Sequence, residues 1–380
     1  MRRRFPSVLL LLLPLLLLTG CGSPVDFVLS AAQVDPPPAD YSAEVEGFRY
    51  ARSCLSPQQQ AVYDQLAAGL EAQEEVIGGL YPDSALIQTA VEAIGRDYPE
   101  FFWFSGSGRI QTTLMGDTPI RAEYRPVYLM DREARSAVQA QINAWESACL
   151  AGLPQGASDY DKALHVYRYI IDHADYQTVE GNSIVNIMVD GKGLCGCYAK
   201  TAQYLLGRMG IDCAYISGRA GGDTHAWNLI WPDGVPCWMD VTWGDPVFEG
   251  GQDSDGPSYE YFGITTADLL RNHLLDPGQD VPDCVSEDYN WFRRNGLYFD
   301  SYDEAALVSA MANTLASGEG RVCLRFSDGA WREAAHLLID QGNIHRLLRQ
   351  AAELAGTRTP GDSLWYSRND AFCTLTVKMA

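Results

Sequence analysis

Residues 191–211 read GKGLCGCYAKTAQYLLGRMGI, a glycine-rich loop that hands a cysteine, Cys195, directly to an amphipathic stretch. Tyr198, Ala202, Leu205, Leu206 and Met209 fall at i, i+4, i+7, i+8 and i+11, the buried stripe of a helix predicted over residues 195–209. Gly210 ends it. The mouth of a helix offers unpartnered N–H groups and the positive end of the dipole. Both favour thiolate over thiol, so a cysteine placed there becomes a better nucleophile. The same N–H groups can stabilise an oxyanion formed on a carbonyl under attack. Gly193 and Gly196 remove bulk on either side of Cys195. Cys197 sits roughly 200° around the helix axis and reads as a buried small residue or half of a disulfide.

Downstream, residues 224–246 read THAWNLIWPDGVPCWMDVTWGDP. Two strands, predicted over residues 226–231 and 237–243, flank Pro232-Asp233-Gly234. If the hairpin turns about Asp233-Gly234, Trp227 faces Asp240. His225, Trp227, Asp240 and Thr242 then point to one side, because side chains alternate along a strand. His225 and Asp240 become diagonal neighbours within reach of a hydrogen bond. A turn shifted by one residue would put them on opposite faces. A carboxylate that accepts one ring N–H of an imidazole fixes its tautomer and stabilises its charged form, leaving the other nitrogen for a nucleophile. The plainer alternative is a packed histidine with a structural partner. Trp227 and Trp243 are read as walls of the cleft, with Trp227 shielding the pair from water.

Together the two stretches resemble the core of the bacterial transglutaminase-like superfamily, whose fold is papain-like. That family carries Gly-x-Cys before a helix, His-Ala-Trp-Asn on one strand and Asp-x-Thr-Trp on the next. Gly193-Leu194-Cys195, His225-Ala226-Trp227-Asn228 and Asp240-Val241-Thr242-Trp243 match in order and spacing. The resemblance implies Cys195 as nucleophile, His225 as general base and acid, and Asp240 as the group that orients His225, with no cofactor. Residues 259–265, followed by His273, resemble the downstream flank of that core. Gly196-Cys197 departs from the family pattern, in which a polar residue and then glycine are common. The second oxyanion donor is therefore unassigned. The expected fold class is α+β: a papain-like/transglutaminase-like core, with the cysteine-bearing helix packed on an antiparallel sheet. An N-terminal α+β region and a small C-terminal α/β module are expected to flank it.

The chain opens MRRRFPSVLLLLLPLLLLTGCGS. A basic start, a short apolar run and small residues describe a secretory signal over residues 1–20. Leu18-Thr19-Gly20-Cys21 resembles a lipoprotein cleavage box, which makes Cys21 the expected lipid attachment site. Acyl chains would then tether the protein to the membrane, facing outside the cytoplasm. Residues 21–40 hold Pro36-Pro37-Pro38 and read as a tether. The expected divisions beyond it are 41–150, 151–284 for the catalytic core, and 285–380. The net charge is −21, which argues against nucleic acid and against a polybasic membrane patch. Ten cysteines include Cys21, leaving an odd number that allows one or two bridges and free thiols.

Elsewhere, Ser56 caps a helix predicted to run to about residue 73, and further helices are predicted at 85–94, 159–174 and 331–354 and after Asp131. Strands are predicted at 100–104, 109–114, 121–129, 321–326, 364–366 and 372–377. Three functions compete. The first is a thiol enzyme acting on amide or peptide bonds through a thioester, as peptidase, amidase or transamidase, with a protein or wall peptide as substrate. The second is a non-catalytic binding module for a cell-wall or protein partner. The third, a zinc site from Cys195, Cys197, Cys213, His225 and Cys237, lacks a Cys-x-x-Cys pair, so no metal is expected. His165, His173, His273, His336 and His345 are read as structural.

Overall fold

The computed structural model describes residues 47–245, 256–318, 320–359, 361 and 364–378. The expected signal, the lipid site at Cys21 and the tether lie outside the described residues. Among the described residues, no helix is long and apolar enough to cross a membrane.

The N-terminal part pairs the helices Pro57–Glu71 and Ser84–Asp97 with a three-stranded antiparallel sheet in the order β1-β3-β2. Its strands are β1 (Ile77–Leu80), β2 (Phe104–Met115) and β3 (Thr118–Tyr128). Ser56 makes the expected capping box with Gln59. Phe101, Phe102 and Trp103, expected in a strand, instead form a buried turn ahead of β2. Asp131 accepts from Ala134 N and starts the helix Arg132–Ala151.

The helix Asp159–His173 follows, capped by Ser158 and Asp161 in a reciprocal box. A short parallel pair, β4 (Asp175–Tyr176) with β5 (Lys192–Gly193), then delivers the chain to the helix Cys195–Arg208. That helix packs on a five-stranded antiparallel sheet in the order β10-β6-β7-β8-β9. The strands are β6 (Asp212–Ala220), β7 (Asp223–Trp231), β8 (Cys237–Met239), β9 (Phe262–Ile264) and β10 (His273–Leu275). Cys213, Ile230, Cys237 and Met239 join the core on the helix side. Trp227, Leu229, Trp238 and Ile264 form a second buried cluster. Covered on both faces, β6 lacks the strict alternation that announces a half-exposed strand, and sequence periodicity did not reveal it.

The last part carries a four-stranded sheet in the order β11-β12-β14-β13: β11 (Tyr298–Phe299), β12 (Arg321–Phe326), β13 (Trp365–Asn369) and β14 (Thr374–Lys378). The helices Glu304–Ala316 and Asn343–Ala355 pack together beside it. The first of these was not foreseen. All nine described cysteines are free thiols, so the bridges allowed by the count are not formed among them.

Candidate active site

The helix Cys195–Arg208 begins without a side-chain cap, because its N-cap residue is Leu194. A Ser, Thr, Asp or Asn there would have occupied the first N–H groups. Leu194 O accepts from Cys197 N at 2.9 Å and Tyr198 N at 3.2 Å. Cys195 and Gly196 therefore keep the N–H groups that a helix start leaves without intrahelical partners. Cys195 is half-buried, and Cys197 is fully buried with Sγ directed at Asn186 Oδ1. Of the two sulfurs, the one at the helix mouth is open to approach.

The hairpin register is the one that places Trp227 opposite Asp240. Asn228 pairs with Met239, Leu229 with Trp238 and Ile230 with Cys237. Asp233 turns the chain with φ 49°. His225 lies inside β7 rather than before it. The second strand is shorter than expected: it ends at Met239, and Asp240 caps a single helical turn, Val241–Gly244. Thr242 is therefore not a strand neighbour of His225. Its backbone N–H donates to Asp240 Oδ1 at 2.9 Å, as does that of Trp243 at 3.1 Å. The cap fixes the carboxylate, and His225 Nε2 meets its other oxygen, Oδ2, at 2.7 Å.

The Cys195 side chain lies within hydrogen-bonding and electrostatic reach of His225. With Nε2 on Asp240, Nδ1 is the ring nitrogen left for the sulfur. Asn228 keeps strand and helix together: its fully buried amide donates to Ala199 O of the helix at 2.9 Å and to Ala214 O of β6. Burial opposes charge on His225. The charge and hydrogen bond of Asp240, with the pairing to Cys195, override it and raise the imidazole from 6.5 to about 10. Burial likewise opposes the Asp240 carboxylate, and the charges and hydrogen bonds of His225 and His273 override it, holding Asp240 well below its ordinary value.

Two further residues join the site, neither of them given a role there by the sequence reading. The Asn182 side chain lies against Gly196: a Cβ at that glycine would come within 2.4 Å of Asn182 Oδ1 and 2.7 Å of Nδ2. Asn182 also lies within hydrogen-bonding reach of Tyr215. His273, read as structural, is fully buried and brings Nε2 to 3.0 Å from Asp240 Oδ2. The one sequence signal for His273 is its place after the flank at residues 259–265, and Asn182 carries none; their contacts are visible only once β6 and β10 are in place.

Trp227 does not line a cleft. It is fully buried, its ring 5.8 Å from that of His225. The face of β7 that carries it is covered by Trp238, Tyr261 and Phe372, so this tryptophan at the middle of the central strand is core. Trp243 is half-buried, with its ring 5.8 Å from that of His225. The five-residue zinc set is not assembled. Among the described residues, the one group of three or more potential ligands in reach of one another is His225, Asp240 and His273. Those atoms are already hydrogen-bonded partners, so a cation would have to displace the proton on each Nε2.

Residues 151–243 match the family model of the transglutaminase-like superfamily core, and the matched span contains Cys195, His225 and Asp240. Among solved structures, the chain is similar to the crystal structure of a TGase at 15% identity and a TM-score of 0.27. That match covers 42% of this chain and 48% of the TGase, so the chain spans about half of its length. It is also similar to an inferred cysteine protease from Cytophaga hutchinsonii at 14% identity and a TM-score of 0.26, over 48% of this chain and 80% of that one. No curated protein matches the chain significantly. Residues 151–243 of this α+β chain are thus similar to the transglutaminase-like superfamily core.

Proposed function

We propose that this protein is a lipid-anchored thiol enzyme outside the cytoplasm, acting on amide or peptide bonds through Cys195, His225 and Asp240. The observation that carries the reading is the linked set at the helix mouth. The Cys195 side chain lies within hydrogen-bonding reach of His225, and His225 Nε2 is 2.7 Å from a carboxylate fixed by two backbone N–H groups. Export and the anchor at Cys21 rest on the opening sequence.

The chemistry follows from the charges. His225 takes the Cys195 proton on Nδ1, and Asp240 stabilises the imidazolium. The thiolate adds to the substrate carbonyl carbon, and the carbonyl electron pair moves to oxygen. Cys195 N–H and the Asn182 amide stabilise that oxyanion. As the oxyanion collapses, the C–N bond breaks and His225 gives its proton to the departing amine. The thioester left on Cys195 is opened by water, giving a carboxylic acid, or by a second amine, giving a new amide. His225 takes the proton of the incoming group, and the thiolate leaves. The substrate class is a protein or a wall peptide, chosen by the exported location.

Iodoacetamide labelling followed by peptide mapping tests the reading. The expected result is carbamidomethylation at Cys195 that vanishes in Cys195→Ser and persists in Cys197→Ser. Equal labelling of the two variants contradicts it. The free thiol of exposed Cys54, which partial burial pushes up, gives an internal reference for a cysteine that is not activated.

A further inference from the structure

Asp240 Oδ2 serves two imidazoles. His225 Nε2 lies 2.7 Å away and His273 Nε2 3.0 Å away. Oδ1 is filled by the N–H groups of Thr242 and Trp243, so four donors meet one buried carboxylate. An ionised carboxylate only accepts, so the nitrogen of His273 that faces it carries the proton. The ring is held from several sides. Its backbone pairs with Ala220 on β6, and Nδ1 is 2.7 Å from Asn272 Oδ1. Asn272 in turn reaches Tyr261 Oη at 2.8 Å, and the rings of Trp227 and Trp243 each lie 4.9 Å from that of His273.

A purely structural filler among aromatic rings needs no polar edge, and a phenylalanine would pack there at lower desolvation cost. The ring instead spends its Nε2–H on the oxygen that orients His225. We propose that His273 is a positioning residue that acts through Asp240: by donating to the same oxygen as His225, it holds the carboxylate in place and takes part of its charge. This sets how tightly His225 keeps its proton. The proposal rests on the thiol-enzyme reading and extends it, because a His225 that held its proton too firmly would deliver it slowly to the leaving amine.

The groups that bear on His225 come from each packed element. They are Cys195 on its helix, Asp240 at the end of β8 and His273 on β10. Tyr167 on the helix Asp159–His173 and Tyr176 on β4 also lie within electrostatic reach of Asp240. Burial pushes both tyrosines upward, so neither charges across the range in which enzymes operate.

The test is the pH dependence of the rate of iodoacetamide alkylation at Cys195, measured on the full chain by mass. It needs no substrate. At the alkaline step His225 loses its proton and the thiolate loses its counter-charge. His273→Phe keeps the ring volume and removes the donor. Its alkaline step is expected to rise by about half a pH unit or more, because all of the Oδ2 charge then falls on His225. His273→Gln returns an amide donor at a similar reach and is expected to keep the step within a few tenths of a unit of the parent protein. An unchanged step in His273→Phe overturns the proposal, as does a shift in His273→Gln as large as that in His273→Phe. If His273→Phe does not fold, Asn272→Ala frees the Nδ1 side at a half-buried position. It is expected to move the step the same way by a smaller amount, and no movement counts against the proposal. A parent protein in which Cys195 reacts no faster than Cys54 sinks the thiol-enzyme reading itself. A fast Cys195 with a step that ignores His273 sinks only the proposal.

Discussion

Asp240 accepts two backbone N–H groups on one oxygen and two imidazoles on the other, and this crowding decides what single substitutions do. Asp240→Asn keeps the size but replaces one accepting oxygen with a donor, which forces His225 toward the wrong tautomer. Turnover is expected to fall roughly a thousandfold or more while substrate binding changes little, a split read from kcat and KM. Asn182→Ala removes the proposed side-chain donor to the oxyanion and is expected to lower kcat by about a hundredfold. A kcat within twofold of the parent would assign the second donor elsewhere. Stability depends on pH through the same pair. His225 is raised in the folded state, so its protonated form contributes stability fully below pH 6.5, and that contribution is lost as pH climbs through about 10. Asp240 is depressed, so its contribution is present above 3.8 and is lost as pH falls toward its folded value. Thermal melts against pH should show the alkaline decline in the parent protein and a weaker one in Asp240→Asn. At this scale the sequence was informative: Cys195, His225 and Asp240 lie on adjoining elements, and a turn centred on Asp233-Gly234 makes the His225–Asp240 meeting legible. His273 and Asn182 were not legible, because nothing local marks a residue whose partner arrives from a distant strand.

The helix Cys195–Arg208 and the strand β7 must hold their spacing for the sulfur and the imidazole to meet. Asn228 supplies the tie through Ala199 O and Ala214 O. Asn228→Ala opens a gap and leaves a carbonyl short of a donor, at a cost of about 1–3 kcal/mol in unfolding free energy. Cys195 labelling should slow alongside the loss. Gly218 plays a matching part on β6 beside the edge strand β10, where a Cβ would come within 2.1 Å of Leu274 O and 2.6 Å of the Trp227 ring. Gly218→Ala cannot be absorbed by a side-chain shift alone. It is expected to push β10, and His273 with it, off β6, with a loss of about 1–3 kcal/mol. Thermal unfolding of the two variants checks both statements. The helices around Ser56, Asp131 and Ser158 could be read from caps and period, since those signals are local. The strands β1, β6, β9 and β10 could not, being short or covered on both faces, so that their pairing and not their pattern defines them.

At the scale of the whole chain, charged contacts join the sheet that carries the site to the sheet β11-β12-β14-β13. Asp268 accepts from Arg325 Nη2 at 2.6 Å and from Arg271 Nε at 3.1 Å, and Arg325 on β12 is almost fully buried. Glu260 accepts from Asn369 and Thr374. Removing one partner of a buried pair leaves the other charge unmatched. Asp268→Ala is therefore expected to cost about 3 kcal/mol or more, seen in denaturant unfolding, and the loss should be smaller when Arg325 is also replaced by Met. The acidic balance of the chain, which argues against a nucleic-acid role, is read from composition alone, whereas these contacts depend on residues far apart in sequence and left no local trace. The central claim is tested most directly by incubating the full chain with an activated acyl donor, quenching in acid and locating the adduct by peptide mass. A thioester confined to Cys195, absent in Cys195→Ser and accumulating only slowly in His225→Ala, is the predicted result. An adduct on any other residue with Cys195 unmodified, or equal acylation in His225→Ala and the parent protein, contradicts it.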